Sequence, residues 1–307
     1  MSQRVARKFY LSHNVIRALV KIEWIIKHIN QNPYLCNMIE LLLKPLICER
    51  FSKDEKYREG HLRVINALPE RKVLGLHTPE IKQISKLIFQ KGCDVFLTDE
   101  TSHPCSNGAD VLDCFEQVAT YNLFYEETVI WGYLINHERC SLEERLNRLK
   151  RYITILDNWA VCDSFCANAK WMKLANKNIL WHFLLPYFLS TKEFEVRFAI
   201  VTAMTYFLDE AWLSEVFKQI NNINITQIHS RYTTIKGKPK YAQQGTVQGE
   251  SPYYVRMGIA WLLATSLYKY PNETRCFVKT STLPNDVIKL YIRKARESFR
   301  TRDIEAL

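Results

Sequence analysis

The stretch Ser141–Leu156, SLEERLNRLKRYITIL, decides the fold class. Ser141 and Glu144 stand at the spacing of a capping box, in which hydroxyl and carboxylate satisfy the first free N–H groups of a helix. Leu142, Leu146, Leu149, Ile153 and Leu156 follow at steps of three and four, which draws one apolar stripe along a helix. Asp157 and Asn158 then supply cap-type residues before a second helix beginning at Trp159. The same grammar repeats downstream. KNILWHFLLPYFL is helical, with Pro186 bending or ending it. STKEFEVRFAIVTAMTYFLDE opens with Ser190 and Glu193 at box spacing. AWLSEVFKQI follows, then YYVRMGIAWLLATSLYKYP, which Pro271 stops, and NDVIKLYIRKARESFRTR. No stretch alternates in the manner of a strand. An all-α protein is expected. Helix pairs with short connections suggest a HEAT-like α-solenoid of antiparallel pairs, whose concave face would cradle an extended partner. A single globular helical domain is the alternative.

Composition agrees with this. The 307 residues are 47% apolar, enough for a substantial core, and 9 Gly with 10 Pro are too few for a turn-rich β protein. No run of about 18 uncharged apolar residues exists, so no membrane partner is expected. The nine cysteines are scattered and odd in number, and no secretory signal precedes them, so reduced thiols in an intracellular compartment are expected. Cytoplasm and nucleus or nucleoid both fit. The N-terminal MSQRVARKFYLSHNVIRALV is basic, acid-free and amphipathic, so it reads either as an organellar transit peptide or as a first helix of the fold.

The net charge of +10 fits a polyanionic partner. It is unevenly placed. Residues 1–22 hold Arg4, Arg7, Lys8, Arg17 and Lys21 with no acid, and residues 223–252 hold Arg231, Lys236, Lys238 and Lys240 against Glu250. The second segment, NINITQIHSRYTTIKGKPKYAQQGTVQGE, reads as a long mobile basic loop inserted between helices.

Four groups of residues are candidates for chemistry. Cys162 and Cys166 are four apart, yet no paired Cys/His set of zinc spacing complements them, so core packing is the expectation and no metal is assigned. There is no Gly-x-Ser-x-Gly elbow, Walker loop, Gly-x-Gly-x-x-Gly or His-Glu-x-x-His, and no cofactor is expected. Trp159 and Asp163 share a helix face, where an indole and a carboxylate suit a cation. A half-buried Trp beside a surface Asp is the other reading. Arg197 sits among Val196, Phe198, Ile200 and Val201, so it must snorkel, pair with an acid or bind an anion. Trp261 lies beside small residues that would let a ligand approach.

DNWAVCDSFC, EVRFAIV, YYVRMGIAW with KYP, and the basic IRKARESFR follow one another as in the AlkD-type DNA alkylation repair family, which this chain resembles. Upstream, Gly75-Leu76-His77-Thr78-Pro79 is similar to that family's Gly-[Ile/Val]-x-Thr-Pro segment. The resemblance covers roughly residues 50–302. It implies a HEAT-like domain over 46–307, carrying the 223–252 insertion, with residues 1–45 as an N-terminal helical extension. It further implies a monomer that binds double-stranded DNA on a concave face and excises cationic N3- and N7-alkylated purines without cofactor or metal. By the same carry-over, Asp163, Trp159 and Trp261 would be catalytic. Arg197 would hold the DNA backbone. Independently of the resemblance, the basic charge of the inserted 223–252 segment makes Lys236, Lys238 and Lys240 candidate DNA contacts, and Arg256 is a further one. The implied chemistry is coherent. An alkylated purine is already a good leaving group, so the enzyme need only stabilise the sugar oxocarbenium and position water, which an aspartate and two indoles can do. Some relatives bind DNA structures without excising bases, so a non-catalytic DNA-binding scaffold and a protein-interaction scaffold stay open.

Overall fold

A computed structural model describes residues 49–91, 108–117, 123–235, 238–241 and 252–307. The described chain is mostly helical: α1 (Glu49–Lys53), α2 (Glu55–Ile65), α3 (Thr78–Lys91), α4 (Gly108–Gln117), α5 (Tyr125–His137), α6 (Leu142–Thr154), α7 (Trp159–Asn168), α8 (Lys177–Phe188), α9 (Glu193–Tyr206), α10 (Leu213–Asn221), α11 (Tyr253–Lys269), α12 (Pro271–Thr280) and α13 (Asn285–Glu297). The expected extension 1–45 lies outside the described residues. Two compact units result. One comprises the described residues through Leu62 together with Arg71–Glu138; the other comprises Arg63–Glu70 and Arg139–Leu307.

In the first unit α3, α4 and α5 pack on one another. Phe115 stacks on Trp131 with centroids 5.4 Å apart. The Gly75 motif is explained here by packing. Gly75 has φ +83°, and a Cβ there would lie 2.2 Å from Phe51 Cγ. The N–H groups of Leu74, Gly75 and Leu76 all donate to the buried Glu126 carboxylate at 2.8–3.3 Å. Burial pushes the Glu126 carboxyl up, while those donors pull it down.

In the second unit the capping box of α6 forms as expected: Glu144 N–H donates to Ser141 Oγ at 3.2 Å, and Ser141 N–H donates to Glu144 Oε2 at 2.8 Å. Leu146, Leu149, Ile153 and Leu156 are buried. Asn158 caps α7 by accepting from Ala160 N–H at 2.8 Å. Pro186 lies within α8, which continues to Phe188. Pro271 does more than stop α11, since it is the first residue of α12, where its missing N–H costs nothing. Helix α7 packs on α9, α9 on α11, and α11 on α13; α8 packs on α9 and α10. Phe217 of α10 stacks on Phe277 with centroids 4.4 Å apart, tying α10 to α12. Helix α9 is buried on nearly every side, including Glu193 and Arg197, so it has no polar face to betray its orientation.

Two expectations are corrected. The box expected at Ser190 and Glu193 does not form: Ser190 Oγ donates to Glu195 Oε2 at 2.7 Å, and Glu193 turns inward. The segment 223–252, expected to be loop throughout, carries a short 3-10 turn (Ile225–Gln227) and an antiparallel hairpin, β1 (Tyr232–Ile235) with β2 (Lys238–Tyr241), in the register Tyr232 opposite Tyr241. Both strands pack on α11. Tyr232 anchors the hairpin: it is buried, and its hydroxyl donates to the Asn66 carbonyl at 2.9 Å. Periodicity could not show this, because strands of four residues are too short to express alternation.

Candidate functional site

The site is built on α7, α9 and the start of α11. The two pairs on α7 divide cleanly. Val161, Cys162, Phe165 and Cys166 are buried, whereas Trp159, Ala160, Asp163 and Ser164 are half-buried. Cys162 and Cys166 therefore belong to the core. Burial pushes the Cys162 thiol up, away from any thiolate chemistry at neutral pH. Among the described residues no group of three or more His, Cys, Asp and Glu is placed to hold a metal ion.

Asp163 meets Arg197 in a two-pronged bridge, with Nε to Oδ1 at 2.9 Å and Nη2 to Oδ2 at 2.8 Å. Arg197 is 3% exposed, and its Nη1 donates to the Tyr254 carbonyl at 2.7 Å. Its guanidinium lies 5.7 Å from the Tyr254 ring centroid. Burial opposes the Arg197 charge, but Asp163 outweighs it and raises the guanidinium pKa. Of the three fates open to this arginine, the structure selects pairing with an acid. That acid is Asp163 on α7 rather than Glu193 one turn away. Two of the guanidinium's three nitrogens are thus occupied by Asp163, and the side chain is buried.

Glu193 is not among the expected site residues, yet it completes the arrangement. It is 4% exposed, with Tyr254 N–H donating to Oε1 at 2.8 Å and Ser230 Oγ donating to Oε2 at 2.5 Å. Tyr254 lies in the first turn of α11, where N–H groups lack partners within the helix, and the N-cap is Pro252, which has no side-chain acceptor. Glu193 therefore caps α11 from a neighbouring helix, at the end where the helix dipole favours an anion. Glu193 and Arg197 together grip the two sides of the Tyr254 main chain. Burial pushes the Glu193 carboxyl up to about 7, against the pull of Ser230, Tyr254 and Arg197. The sequence signal for this role is an acid one turn before an arginine in a largely apolar helix.

The remaining parts are held by main-chain contacts. Asn158, besides capping α7, donates through Nδ2 to the Ile65 carbonyl at 2.8 Å, which fixes the end of α7 that bears Trp159. Asn66, at φ 50°, donates to the Tyr254 hydroxyl at 2.7 Å. Tyr254, Gly258, Trp261 and Thr265 follow at steps of four, three and four, one stripe of α11. A Cβ on Gly258 would lie 3.4 Å from Ile200 Cγ2 and 3.7 Å from Arg197 Nη1, and Thr265 Oγ1 donates to Met204 Sδ at 3.5 Å. The stripe thus faces α9, and Trp261, 39% exposed, emerges at its edge. Arg256 is half-buried and pairs with Asp286 at 2.5 Å. Lys238 and Lys240 are exposed on β2, and Lys236 lies outside the described residues. The structure brings Asp163, Arg197 and the Tyr254 main chain into contact and puts Trp159 one turn from Asp163. The hairpin that carries Lys238 and Lys240 packs on α11.

Chemically, the bridge leaves each Asp163 oxygen with a lone-pair direction not used by Arg197. The carboxylate side chain is 15% exposed. No helix among the described residues is long and apolar enough to cross a membrane. No protein-family model matches the chain, and neither the curated proteins nor the solved structures compared with it include a match.

Proposed function

We propose that this chain is a DNA glycosylase that binds duplex DNA and hydrolyses the N-glycosidic bond of cationic N3- and N7-alkylated purines. The reading rests on the motif resemblance and on one observation: Asp163 is half-buried, one turn from Trp159, and locked in position by a buried arginine. Preorganised carboxylates of this kind stabilise developing positive charge without paying for reorganisation during the reaction. Trp159 and Trp261 would stack on the cationic nucleotide, and Asp163 would face the sugar oxocarbenium and orient water. Arg197 then acts as a positioning residue for Asp163, a role different from the phosphate clamp the resemblance implies. The succession of α7, α9, α11 and α13 would form the inner row of a HEAT-like solenoid, and the lysines of β2 would add phosphate contacts. Intracellular DNA is the partner this requires.

A second reading has an observation of its own. The two-pronged bridge to Arg197 neutralises much of the Asp163 charge and ties α7 to α9, as a purely structural pair would. On that reading the chain is a non-catalytic DNA-binding scaffold. Incubating the protein with duplex DNA carrying 7-methylguanine separates the two. Release of free base supports the glycosylase, and retained duplex affinity without release supports the scaffold.

A further inference from the structure

The end of α13, within the basic stretch that the motif resemblance includes, carries side chains to which the glycosylase reading assigns no role. Between Lys289 and Arg302 the chain has six cations, Lys289, Arg293, Lys294, Arg296, Arg300 and Arg302, against one acid, Glu297. Val287, Tyr291 and Ala295 are buried, which turns their side of the helix toward α11. Lys289, Arg293 and Arg296, spaced by four and three, are exposed along another side and line a shallow groove with Ile292 and Glu297. Glu297 is shared between Arg293 at 3.5 Å and Lys294 at 3.0 Å, so it leaves the stripe strongly positive.

Just past the end of α13, Arg300 lies between two exposed aromatic rings. Phe299 is 75% exposed and Tyr268, near the end of α11, is 52% exposed. The Arg300 guanidinium lies 5.4 Å from the Phe299 centroid and 5.6 Å from that of Tyr268. A cationic track accompanied by aromatic faces matches a particular polyanion. Duplex DNA offers phosphates to the track but keeps its bases stacked away from the rings. A single strand offers both, because its unstacked bases have free π faces. The stripe from Lys289 to Arg296 rises about 10 Å along the helix, long enough to meet more than one phosphate.

We propose that the outer side of α13 with Phe299 and Tyr268 is a binding platform for single-stranded nucleic acid. Lys289, Arg293 and Arg296 follow the phosphates, and the rings, steadied by Arg300, stack on bases. The platform stands on residues separate from Asp163 and is independent of base excision.

The test measures fluorescence anisotropy of the full chain with a labelled oligothymidylate of about 16 nucleotides, the upper end of known single-strand site sizes, and with a duplex of equal length. Salt is varied between about 50 and 200 mM. Phe299→Ala is expected to weaken single-strand binding by about 5- to 150-fold without changing the salt slope, the scale of one lost stacking contact. It should leave duplex binding unchanged. Arg293→Ala with Arg296→Ala should flatten the single-strand salt slope by about 1.4, at about 0.7 per phosphate contact. Both sites are exposed, so the variants should unfold as the wild type does, which circular dichroism verifies. Single-strand affinity unaltered in either variant would overturn the proposal. So would equal losses on duplex and single strand in Phe299→Ala. Neither result touches base release from methylated duplex, which is read separately.

Discussion

Replacing Asp163 by Asn should cost this protein stability before it costs activity. Arg197 is 3% exposed, and two of its three hydrogen-bonding nitrogens are satisfied by the Asp163 carboxylate. Asn keeps the shape but turns an N–H₂ group toward the guanidinium, so at most one of the two bonds survives and a buried cation loses its counter-charge. Breaking a buried pair from one side costs roughly 3–5 kcal/mol. At about 2–4 °C per kcal/mol for a unit of this size, the melting temperature should fall by roughly 6–20 °C. The pair as a whole is another matter. Desolvating two charges offsets most of their attraction, so Asp163→Asn combined with Arg197→Met should recover most of the loss. The assay is a double-mutant cycle by urea and thermal unfolding, followed by circular dichroism. A fall of less than about 1 kcal/mol for Asp163→Asn, within the range of an exposed pair, would refute the burial argument. A double variant no more stable than Asp163→Asn would refute the claim that the lone buried charge is what costs. Any loss of activity in Asp163→Asn must accordingly be measured where the variant is folded.

Three further outcomes follow from the same structure. The folded protein holds the Glu193 proton up to about pH 7, while the unfolded chain releases it near the ordinary 4.5, so stability from this group is fully present below 4.5 and is lost as pH rises through 7. The wild type should lose up to about 3 kcal/mol over that interval relative to Glu193→Gln, at about 1.36 kcal/mol per pH unit; parallel pH profiles for the two proteins would contradict this. Gly75→Ala should destabilise its unit by more than about 1 kcal/mol, because φ +83° and the Phe51 ring both oppose a Cβ; an unchanged melting temperature would contradict it. Lys238→Ala with Lys240→Ala should flatten the salt slope of duplex binding by up to about 1.8 without lowering the melting temperature, since both side chains are exposed on β2; an unchanged slope would remove the hairpin from the DNA contact.

What could be seen in the sequence follows a physical division. Local rules carried far: the Ser141 box, the Asn158 cap and the stripe of α6 depend on residues within a few positions of one another, and they formed as spaced. The helices of the second unit were legible for the same reason. Long-range choices were not. Arg197 in an apolar helix announced that it needed a partner, but the partner lay 34 positions away. Glu193 caps a helix that begins 60 residues later, a contact no local pattern encodes. The hairpin of 232–241 escaped because its strands are short and its stability comes from Tyr232 packed against Asn66 and Tyr254.

The central claim is that Asp163 stabilises positive charge during base excision. Its most direct test is single-turnover release of 7-methylguanine and 3-methyladenine from methylated duplex, by wild type and Asp163→Asn, at a temperature where both are folded. The account predicts measurable release by the wild type and a rate lower by about 10²-fold or more in the variant, the scale of a lost electrostatic stabiliser, with little change in affinity for undamaged duplex. Equal rates for the two proteins, or no release of either base by the wild type, would contradict it.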